Sequence, residues 1–189
     1  MIKAKKDIRR AVKQMVLSLS AEERELQSQS VCKRLLELIS ERQAGCIALF
    51  SPLSDEVDIS PLAQELMSRG CRVVLPRVGD AADGTPQMEF FDYEHQNLVQ
   101  GAYGISEPQG ECTCVEEDID FMVVPGVAFA ADGRRLGRGK GYYDRYLARV
   151  GFRAFCVGVC YVCQLYDELP SEPHDRRVDA VVVATDKNL

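Results

Sequence analysis

Short, mostly apolar runs recur along this chain, separated by segments with helical periodicity or turn residues. A strand covered on both faces of a sheet reads as a continuous apolar run, because neither face meets water. The runs are residues 46–50, 71–76, 119–125, 154–160 and 178–184, with a further candidate at 88–93. Such runs, alternating with helical segments, predict an α/β fold.

The segments between these runs have the spacing of helices. Apolar residues from Ile8 to Leu19 recur every three to four positions, which predicts an amphipathic helix. Ser20 and Glu23 form a capping box, so a second helix begins there and continues to about Gln43. Further helices are predicted at residues 62–69 and 142–150, and loops at 51–58, 79–86 and much of 101–117, with a short helix or loop at 164–175.

Together these elements predict a three-layer α-β-α fold. The sheet is mostly parallel, with a mixed sheet as the alternative, and helices cover both of its faces. A chain of 189 residues fits one domain, so we expect residues 1–189 to form a single unit. Ligands bind such sheets beyond the carboxyl ends of the strands, which selects the loops 51–58 and 126–140 and the region before Val178.

The charge balance limits the class of partner. A net charge of −6 is unusual for a general nucleic-acid binder, so we expect no nucleic-acid partner. No apolar run approaches the length that crosses a bilayer, and the N-terminal residues are charged rather than apolar. We therefore expect a cytoplasmic protein with no membrane partner.

The chain has eight cysteines, which raises the question of a metal site. Only Cys160 and Cys163 have the C-x-x-C spacing of a zinc knuckle, and no second knuckle follows them. Cys112 and Cys114 form a C-x-C pair. We expect these cysteines to be reduced and to act as small hydrophobic residues.

Residues 133–144 combine glycines, cations, aromatics and a carboxylate in one segment. Alternating glycines let the backbone approach a ligand and direct its N–H groups inward. Arg138 and Lys140 lie between these glycines and supply positive charge for a phosphate. Against an acidic chain, this local positive charge suits a small anionic ligand.

Neither of two common phosphate loops accounts for this segment. A Walker A loop needs a glycine five residues before the Gly-Lys pair, where Arg134 stands, and Ser or Thr after the lysine, where Gly141 stands. A Rossmann loop needs G-x-G-x-x-G directly after a strand, whereas these glycines follow G-x-G-x-G spacing well beyond Val124. The alternative is a flexible connecting loop, but the dense cationic pattern favours phosphate binding.

The longer pattern over residues 125–129 and 132–145 resembles the signature of the 5-formyltetrahydrofolate cyclo-ligase family, also called 5,10-methenyltetrahydrofolate synthetases. The resemblance extends to segments 5–9, 55–58, 104–108 and 174–179, in the same order along the chain. One position departs from the pattern, because Ala130 stands where the family often has Asp.

The resemblance implies a reaction. Members of the family convert 5-formyltetrahydrofolate into 5,10-methenyltetrahydrofolate, using ATP and Mg²⁺ and releasing ADP and phosphate. The γ-phosphoryl group activates the formyl oxygen, and N10 then attacks the formyl carbon and closes the ring. The fold implied is the α/β fold predicted above, and we expect a monomer.

The resemblance also assigns residues to sites. The implied ATP-binding residues are Lys5, Lys6, Asp7, Ile8, Arg9, Arg135, Leu136, Gly137, Arg138, Gly139, Lys140, Gly141, Tyr142 and Tyr143. The implied folate-binding residues are Ser51, Glu56, Arg138, Gly139, Lys140, Gly141 and Tyr142. The implied metal ligands are Asp144 and Asp175, and Mg²⁺ typically takes one or two carboxylates together with phosphate oxygens and water.

The chemistry indicates what several of these side chains do. Lys140 and Arg138 are the candidate catalytic residues, because they neutralise charge on the transferred phosphoryl group. Glu56 is the candidate for binding the amino-pyrimidinone edge of the pterin, since a carboxylate accepts two parallel N–H donors. The alternatives are a solvated loop charge for Glu56, a helix-terminus charge for Asp144, and pairing with Arg176 or Arg177 for Asp175.

Two other functions remain open from the residues alone. A kinase or other phosphotransferase with a small acceptor also needs a phosphate-binding segment. A non-catalytic folate- or nucleotide-binding module needs only part of the same set. ATP turnover that depends on 5-formyltetrahydrofolate separates all three.

Overall fold

The computed structural model describes residues 4–101, 104–111 and 113–185. The described residues leave out residues 1–3, 102–103, 112 and 186–189. Cys112 of the C-x-C pair and part of the turn-rich segment 101–117 therefore lie outside them.

Helices form where the sequence places apolar residues at helical spacing. The described helices are α1 (Lys5–Ser18), α2 (Ala21–Glu41), α3 (Pro61–Ser68) and α4 (Tyr142–Tyr146). The capping box at the start of α2 is present, because Ser20 Oγ accepts from the Glu23 amide at 3.1 Å and Glu23 accepts from the Ser20 amide at 2.7 Å. None of the described helices is long and apolar enough to cross a membrane.

Strands form at each of the apolar runs. In chain order they are β1 (Cys46–Ala48), β2 (Arg72–Asp80), β3 (Pro86–Asp92), β4 (Leu98–Gln100), β5 (Ser106–Pro108), β6 (Thr113–Cys114), β7 (Phe121–Val124), β8 (Ala128–Ala130), β9 (Arg135–Leu136), β10 (Phe155–Cys160), β11 (Leu165–Tyr166) and β12 (Ala180–Val183). Within the described ranges, the main sheet has the order β12-β10-β7-β1-β2-β3-β6, and β11-β8-β9 and β4-β5 form two smaller sheets.

The main sheet is mixed but mostly parallel. β12, β10, β7, β1 and β2 pair in parallel, whereas β3 and β6 add antiparallel strands at one edge. The predicted mostly parallel sheet is therefore confirmed, and the antiparallel edge is the mixed alternative.

The two faces of the sheet are covered to different extents. Along β1, Ile47 packs with the apolar faces of α1, α2 and α3, whereas Cys46 and Ala48 point to the other face, where they pack with Tyr146 of α4. This alternation follows from the pleat, which directs successive side chains to opposite faces. Helices on both faces confirm the three-layer prediction, although the second layer contains the short α4.

Several elements differ from the prediction: the segments 101–117, 126–140 and 164–175 contain the short strands β5, β6, β8, β9 and β11, and two longer elements have other bounds than expected. The helix expected over 142–150 ends at Tyr146, after which the chain tightens into turns in which the Arg149 amide donates to the Tyr146 carbonyl at 3.1 Å. The loop expected over 79–86 is shorter, because β2 and β3 form a hairpin whose pairing continues to Asp80 and Pro86. Cross-strand pairing within the hairpin here outweighs the turn-forming composition of the segment.

The described cysteines are free thiols, and Cys46, Cys114, Cys156 and Cys160 are buried among apolar side chains. The sulfur atoms of Cys46 and Cys114 are 3.8 Å apart. Burial raises the pKa of the Cys156 and Cys160 thiols to about 12, so both are neutral at physiological pH.

Candidate active site

A cleft of about 1010 Å³ opens beyond the carboxyl ends of the parallel strands. The chain leaves β1 toward β2 and later returns to β7, on the opposite side of β1. Phe50 and Ser51 follow β1, Pro125 and Gly126 follow β7, and all of them line the cleft. The cleft is therefore at the point where the strand order reverses, which is where open α/β sheets bind ligands.

The glycine-rich segment forms one wall of this cleft. Gly139 and Gly141 have φ values of 102° and 70°, which residues with a side chain rarely adopt. Arg9 from α1 fixes the segment from the opposite side, because its Nε donates to the Gly137 carbonyl at 2.8 Å. The Arg145 guanidinium donates to the Lys140 carbonyl, so the segment is held at both ends.

The cations of the cleft differ in how far their charge is neutralised. Arg135 is 3% exposed and donates to Asp144 Oδ1 at 2.8 Å, so its charge is paired inside the protein. Lys5 pairs with Glu172 and Asp175. Lys140 is exposed and, within the described parts of the chain, has no carboxylate partner. Lys140 therefore offers a positive charge that is available to a phosphate.

Arg138 is held by both acidic residues of the 51–58 loop. Its Nη2 and Nη1 donate to Asp55 at 2.5 and 3.2 Å, and its Nε and Nη2 both donate to Glu56 Oε1 at 3.0 Å. Burial opposes the charge of Arg138, but the hydrogen bonds and charges of Asp55 and Glu56 outweigh it and raise the pKa of the guanidinium. Arg138 therefore joins the glycine-rich wall to the wall that carries Glu56.

The Glu56 carboxylate has a fixed position. Its side chain is 9% exposed, and its second oxygen accepts from the Leu53 amide at 3.0 Å. The backbone is also held, because the Tyr161 hydroxyl donates to the Glu56 carbonyl at 2.8 Å. A buried, oriented carboxylate in a cleft wall is suited to accept N–H groups of a planar ligand, and this differs from the solvated loop charge that the sequence left as an alternative.

The two predicted metal ligands lie in the same cleft. Asp144 Oδ1 accepts from Arg135 at 2.8 Å and from the Arg176 amide at 3.1 Å. Asp175 Oδ2 accepts from Lys5 at 2.7 Å and from the Glu172 amide at 2.7 Å. The alternative pairing of Asp175 with Arg176 or Arg177 is wrong, because Lys5 takes that place.

Comparison with known proteins identifies the family. Residues 1–184 match the model of the 5-formyltetrahydrofolate cyclo-ligase family. The chain belongs to this family. The 5-formyltetrahydrofolate cyclo-ligase of Escherichia coli K12 is 31% identical over 175 residues, covering 90% of this chain and 95% of that protein. The mouse (Mus musculus) 5-formyltetrahydrofolate cyclo-ligase is 29% identical over 189 residues, covering 95% and 93%.

A solved structure agrees with this membership in the 5-formyltetrahydrofolate cyclo-ligase family. The 5,10-methenyltetrahydrofolate synthetase of Aquifex aeolicus superposes with a TM-score of 0.81 at 36% identity, covering 95% of this chain and 89% of that one. The family resemblance and the α/β fold are thereby confirmed, and the chain is a member of an enzyme family.

Not every residue implied by that resemblance lies in the cleft of this cyclo-ligase family member. Lys5 and Arg9 line it, whereas Ile8 is 2% exposed and packs in the core. Lys6 and Asp7 are exposed and lie outside the cleft lining, and Asp7 pairs with Arg10 at 3.1 Å. A helical turn explains this division, because residues four apart share a face and their neighbours do not.

The two tyrosines after the glycines have different surroundings. Tyr142 lines the cleft and packs against the apolar cluster beneath α4. The Tyr143 hydroxyl is buried and has no hydrogen-bond partner among the described residues. Burial raises the pKa of Tyr143, so the phenol stays neutral. Arg135 lies over the Tyr143 ring at 5.6 Å.

Sequence reasoning did not assign a site role to Glu107, which is 6% exposed and lines the cleft. Its Oε1 accepts from the Val78 amide at 3.4 Å, and burial raises the pKa of its carboxyl. The sequence did contain a signal for Glu107, because this residue lies in the segment 104–108, which is part of the family resemblance. Its burial depends on the β2–β3 hairpin, which the sequence did not predict.

His95 and His174, the two histidines of the chain, are both exposed. His174 lies at the rim of the cleft and within 3.7 Å of Asp175. Glu172, His174 and Asp175 have ligand atoms within 4.8 Å of one another, and Lys5 pairs with both carboxylates.

Proposed function

We propose that this protein catalyses the ATP- and Mg²⁺-dependent cyclisation of 5-formyltetrahydrofolate to 5,10-methenyltetrahydrofolate, with release of ADP and phosphate. One observation carries the proposal: a single cleft is lined by the cationic glycine-rich segment, by apolar side chains and by the oriented Glu56 carboxylate. Family membership supports the same reaction.

The apolar side of the cleft suits the folate. Phe50, Val78, Met88 and Ile105 line it, together with Tyr142. Planar rings gain free energy when apolar surface leaves water, and a tyrosine ring adds a stacking partner. Glu56 at this wall accepts the N3–H and 2-amino donors of the pterin. Ser51 lines the same cleft, and its hydroxyl donates to the Ser106 carbonyl at 2.6 Å, so it shapes this wall.

The cationic side suits the triphosphate. Lys140 and Arg9 present charges that face the cleft, and the glycines at 137, 139 and 141 allow close approach of the backbone. Charge-assisted hydrogen bonds of this kind are roughly twice as strong as neutral ones. Lys140 stabilises the negative charge that develops as the γ-phosphoryl group moves, which is the largest demand of phosphoryl transfer.

The chemistry proceeds in two steps. The formyl oxygen on N5 attacks the γ-phosphorus of ATP, the bond to the bridging oxygen breaks, and ADP leaves. The N10 lone pair then attacks the activated formyl carbon, a proton leaves N10, and the carbon–oxygen bond breaks to release phosphate. Holding the formyl oxygen in line with the γ-phosphorus turns a reaction between two ligands into a positioned one.

Asp144 and Asp175 fit a magnesium ion. Each keeps one carboxylate oxygen that accepts no hydrogen bond from the described residues, Oδ2 of Asp144 and Oδ1 of Asp175. Mg²⁺ is held by one or two such carboxylates together with phosphate oxygens. When bound, the ion neutralises charge on the β- and γ-phosphates.

We also propose that the protein acts as a cytoplasmic monomer with ATP and 5-formyltetrahydrofolate as its partners, and without nucleic acid or membrane. The net charge of −6 supports a small-molecule enzyme over a nucleic-acid binder.

The test mixes the purified protein with ATP, Mg²⁺ and 5-formyltetrahydrofolate and follows the near-ultraviolet absorbance of the methenyl product. A rise that needs all three components, with one phosphate released per product, supports the proposal. ATP hydrolysis with another small acceptor supports a phosphotransferase. Binding of both ligands without phosphate release supports a non-catalytic module.

A further inference from the structure

The contact between Arg138 and Glu56 uses the carboxylate that the proposed function assigns to the pterin. A guanidinium presents two parallel N–H donors to a carboxylate, and the amino-pyrimidinone edge presents N3–H and a 2-amino group in the same arrangement. Arg138 Nε and Nη2 both donate to Glu56 Oε1, at 3.0 Å each. Arg138 therefore occupies the oxygen that the folate needs.

Asp55 holds Arg138 in this position. It accepts two hydrogen bonds from the far side of the same guanidinium, at 2.5 and 3.2 Å, and its side chain is 23% exposed. Asp55 and Glu56 are adjacent in the 51–58 loop, whose backbone is fixed by the Tyr161 hydroxyl on the Glu56 carbonyl and by Arg24 on the Ser54 carbonyl. The carboxylates are thus the fixed half of the contact.

Arg138 is the movable half. It lies between Gly137 and Gly139, and its side chain is 41% exposed, compared with 9% for Glu56. One guanidinium faces two carboxylates here, so the net charge of these three side chains is negative. The positive charge of Arg138 is therefore neutralised by Asp55 and Glu56 and is not available to a phosphate. A triphosphate at the glycine-rich wall competes with the carboxylates for this cation.

We propose that Arg138, positioned by Asp55, couples the two substrates: the nucleotide triphosphate draws Arg138 away from Glu56, and Glu56 then accepts the pterin. This inference rests on the proposed function and adds to it a thermodynamic link between the two halves of the cleft. Both ligands act on the same equilibrium, the position of Arg138. Each ligand must therefore tighten the binding of the other by the same factor.

The test measures the dissociation constant of 5-formyltetrahydrofolate by titration calorimetry, with and without a non-hydrolysable β,γ-methylene analogue of ATP and Mg²⁺. For the wild-type protein we expect the analogue to tighten folate binding about 5- to 150-fold, the usual range of coupling between two sites. The reverse titration should give the same factor. A factor of one with the wild-type protein, while both ligands bind, would overturn the inference.

The decisive variant is Arg138→Gln, which removes the charge and keeps most of the chain length. It should bind folate more tightly than the wild type when no nucleotide is present, bind the analogue more weakly, and show no coupling. Asp55→Asn keeps the shape of the carboxylate but releases the guanidinium, so it should give a coupling factor between those of the wild type and Arg138→Gln. A variant Arg138→Gln that keeps the full coupling factor would contradict the role of Arg138.

Arg134→Gln is the matched control. Arg134 lies in the same segment but pairs with Asp132 and donates to the Leu169 carbonyl, outside the cleft lining. Arg134→Gln should leave the coupling factor at the wild-type value. Loss of the coupling in Arg134→Gln would show that any change of charge in the segment has this effect, and it would contradict the specific role of Arg138. Failure of the wild type to bind 5-formyltetrahydrofolate at all would instead contradict the proposed function. Circular dichroism checks that each variant is folded. If Arg138→Gln does not fold, Asp55→Asn tests the coupling in its place.

Discussion

The charged side chains of the cleft were visible in the sequence, but their partners were not. Arg138 and Glu56 are 82 residues apart along the chain, and the pairing of Lys5 with Asp175 spans 170 residues. Residue types at a given spacing indicate what a segment binds, whereas an ion pair between distant segments depends on the fold that joins them. The motif therefore indicated a segment that lines the cleft, and only the structure shows which of its cations are already neutralised.

Lys140 has no carboxylate partner among the described residues, so its replacement is a direct test of phosphoryl transfer. Lys140→Ala should lower kcat about 10²- to 10³-fold, as expected when a group that stabilises developing charge is removed. The KM for ATP should change less, because the contact strengthens in the transition state. Steady-state kinetics measures both values, and Lys13→Ala on α1 serves as a surface-lysine control. Unchanged kcat would remove Lys140 from the catalytic group.

Glu56 tests the folate half of the cleft. Glu56→Gln keeps the shape but loses the charge and replaces one acceptor oxygen by a donor. Hydrogen bonds to charged groups contribute about 1.5–3 kcal/mol, so the KM for 5-formyltetrahydrofolate should rise about 10- to 100-fold. The KM for ATP should not rise. A rise in the KM for ATP alone would show that the 51–58 loop faces the nucleotide instead.

At the scale of elements, local signals predicted what local interactions decide. The period of α1 and the capping box of α2 involve neighbours within four residues, and both were predicted correctly. The β2–β3 hairpin was missed because its end pairs Asp80 with Pro86 inside a segment rich in turn residues. The end of α4 was missed because Arg149 leaves the helix to donate to Met88 and Glu89, a contact between distant segments.

Packing between elements leads to a prediction for β10. A Cβ added at Gly158 would lie 2.2 Å from Phe129 Cε1, because the ring packs directly on the strand. Gly158→Ala should therefore reduce the free energy of unfolding by about 1–3 kcal/mol, the usual cost of overpacking. Gly79→Ala in β2 is the matched control, since no atom lies within 4 Å of its added Cβ.

Urea unfolding followed by circular dichroism measures both glycine variants. Equal stability of Gly158→Ala and Gly79→Ala would mean that the Phe129 ring moves aside at little cost, and the packing argument for β10 would be wrong.

At the scale of the whole molecule, the cleft depends on segments from both ends of the chain. The glycine-rich segment follows β7, the 51–58 loop follows β1, and the loop with Asp175 precedes β12. The sequence predicted the α/β architecture and the edge of the sheet at which the cleft opens, because both follow from general rules of parallel sheets. That residues 1–189 form a single domain remains our proposal, and the pairing of Lys5 in α1 with Asp175 in the last loop supports it.

This pairing leads to a pH dependence of stability. Burial opposes ionisation of Asp175, but the Lys5 ammonium and the Glu172 amide outweigh it and hold the pKa of the folded-state carboxyl below its usual value. A carboxyl whose pKa is lowered by folding contributes stability that is fully present above its unfolded pKa of about 4 and is lost as the pH falls through the folded pKa.

We therefore expect Asp175→Asn, without added divalent cation, to be less stable than the wild type at pH 7 and to approach it below about pH 4. Urea unfolding from pH 7 to pH 3 measures this difference, and Asp7→Asn, at an exposed pair on α1, should follow the wild-type curve. A constant difference between Asp175→Asn and the wild type over this range would mean that the ion pair does not join the two ends of the chain.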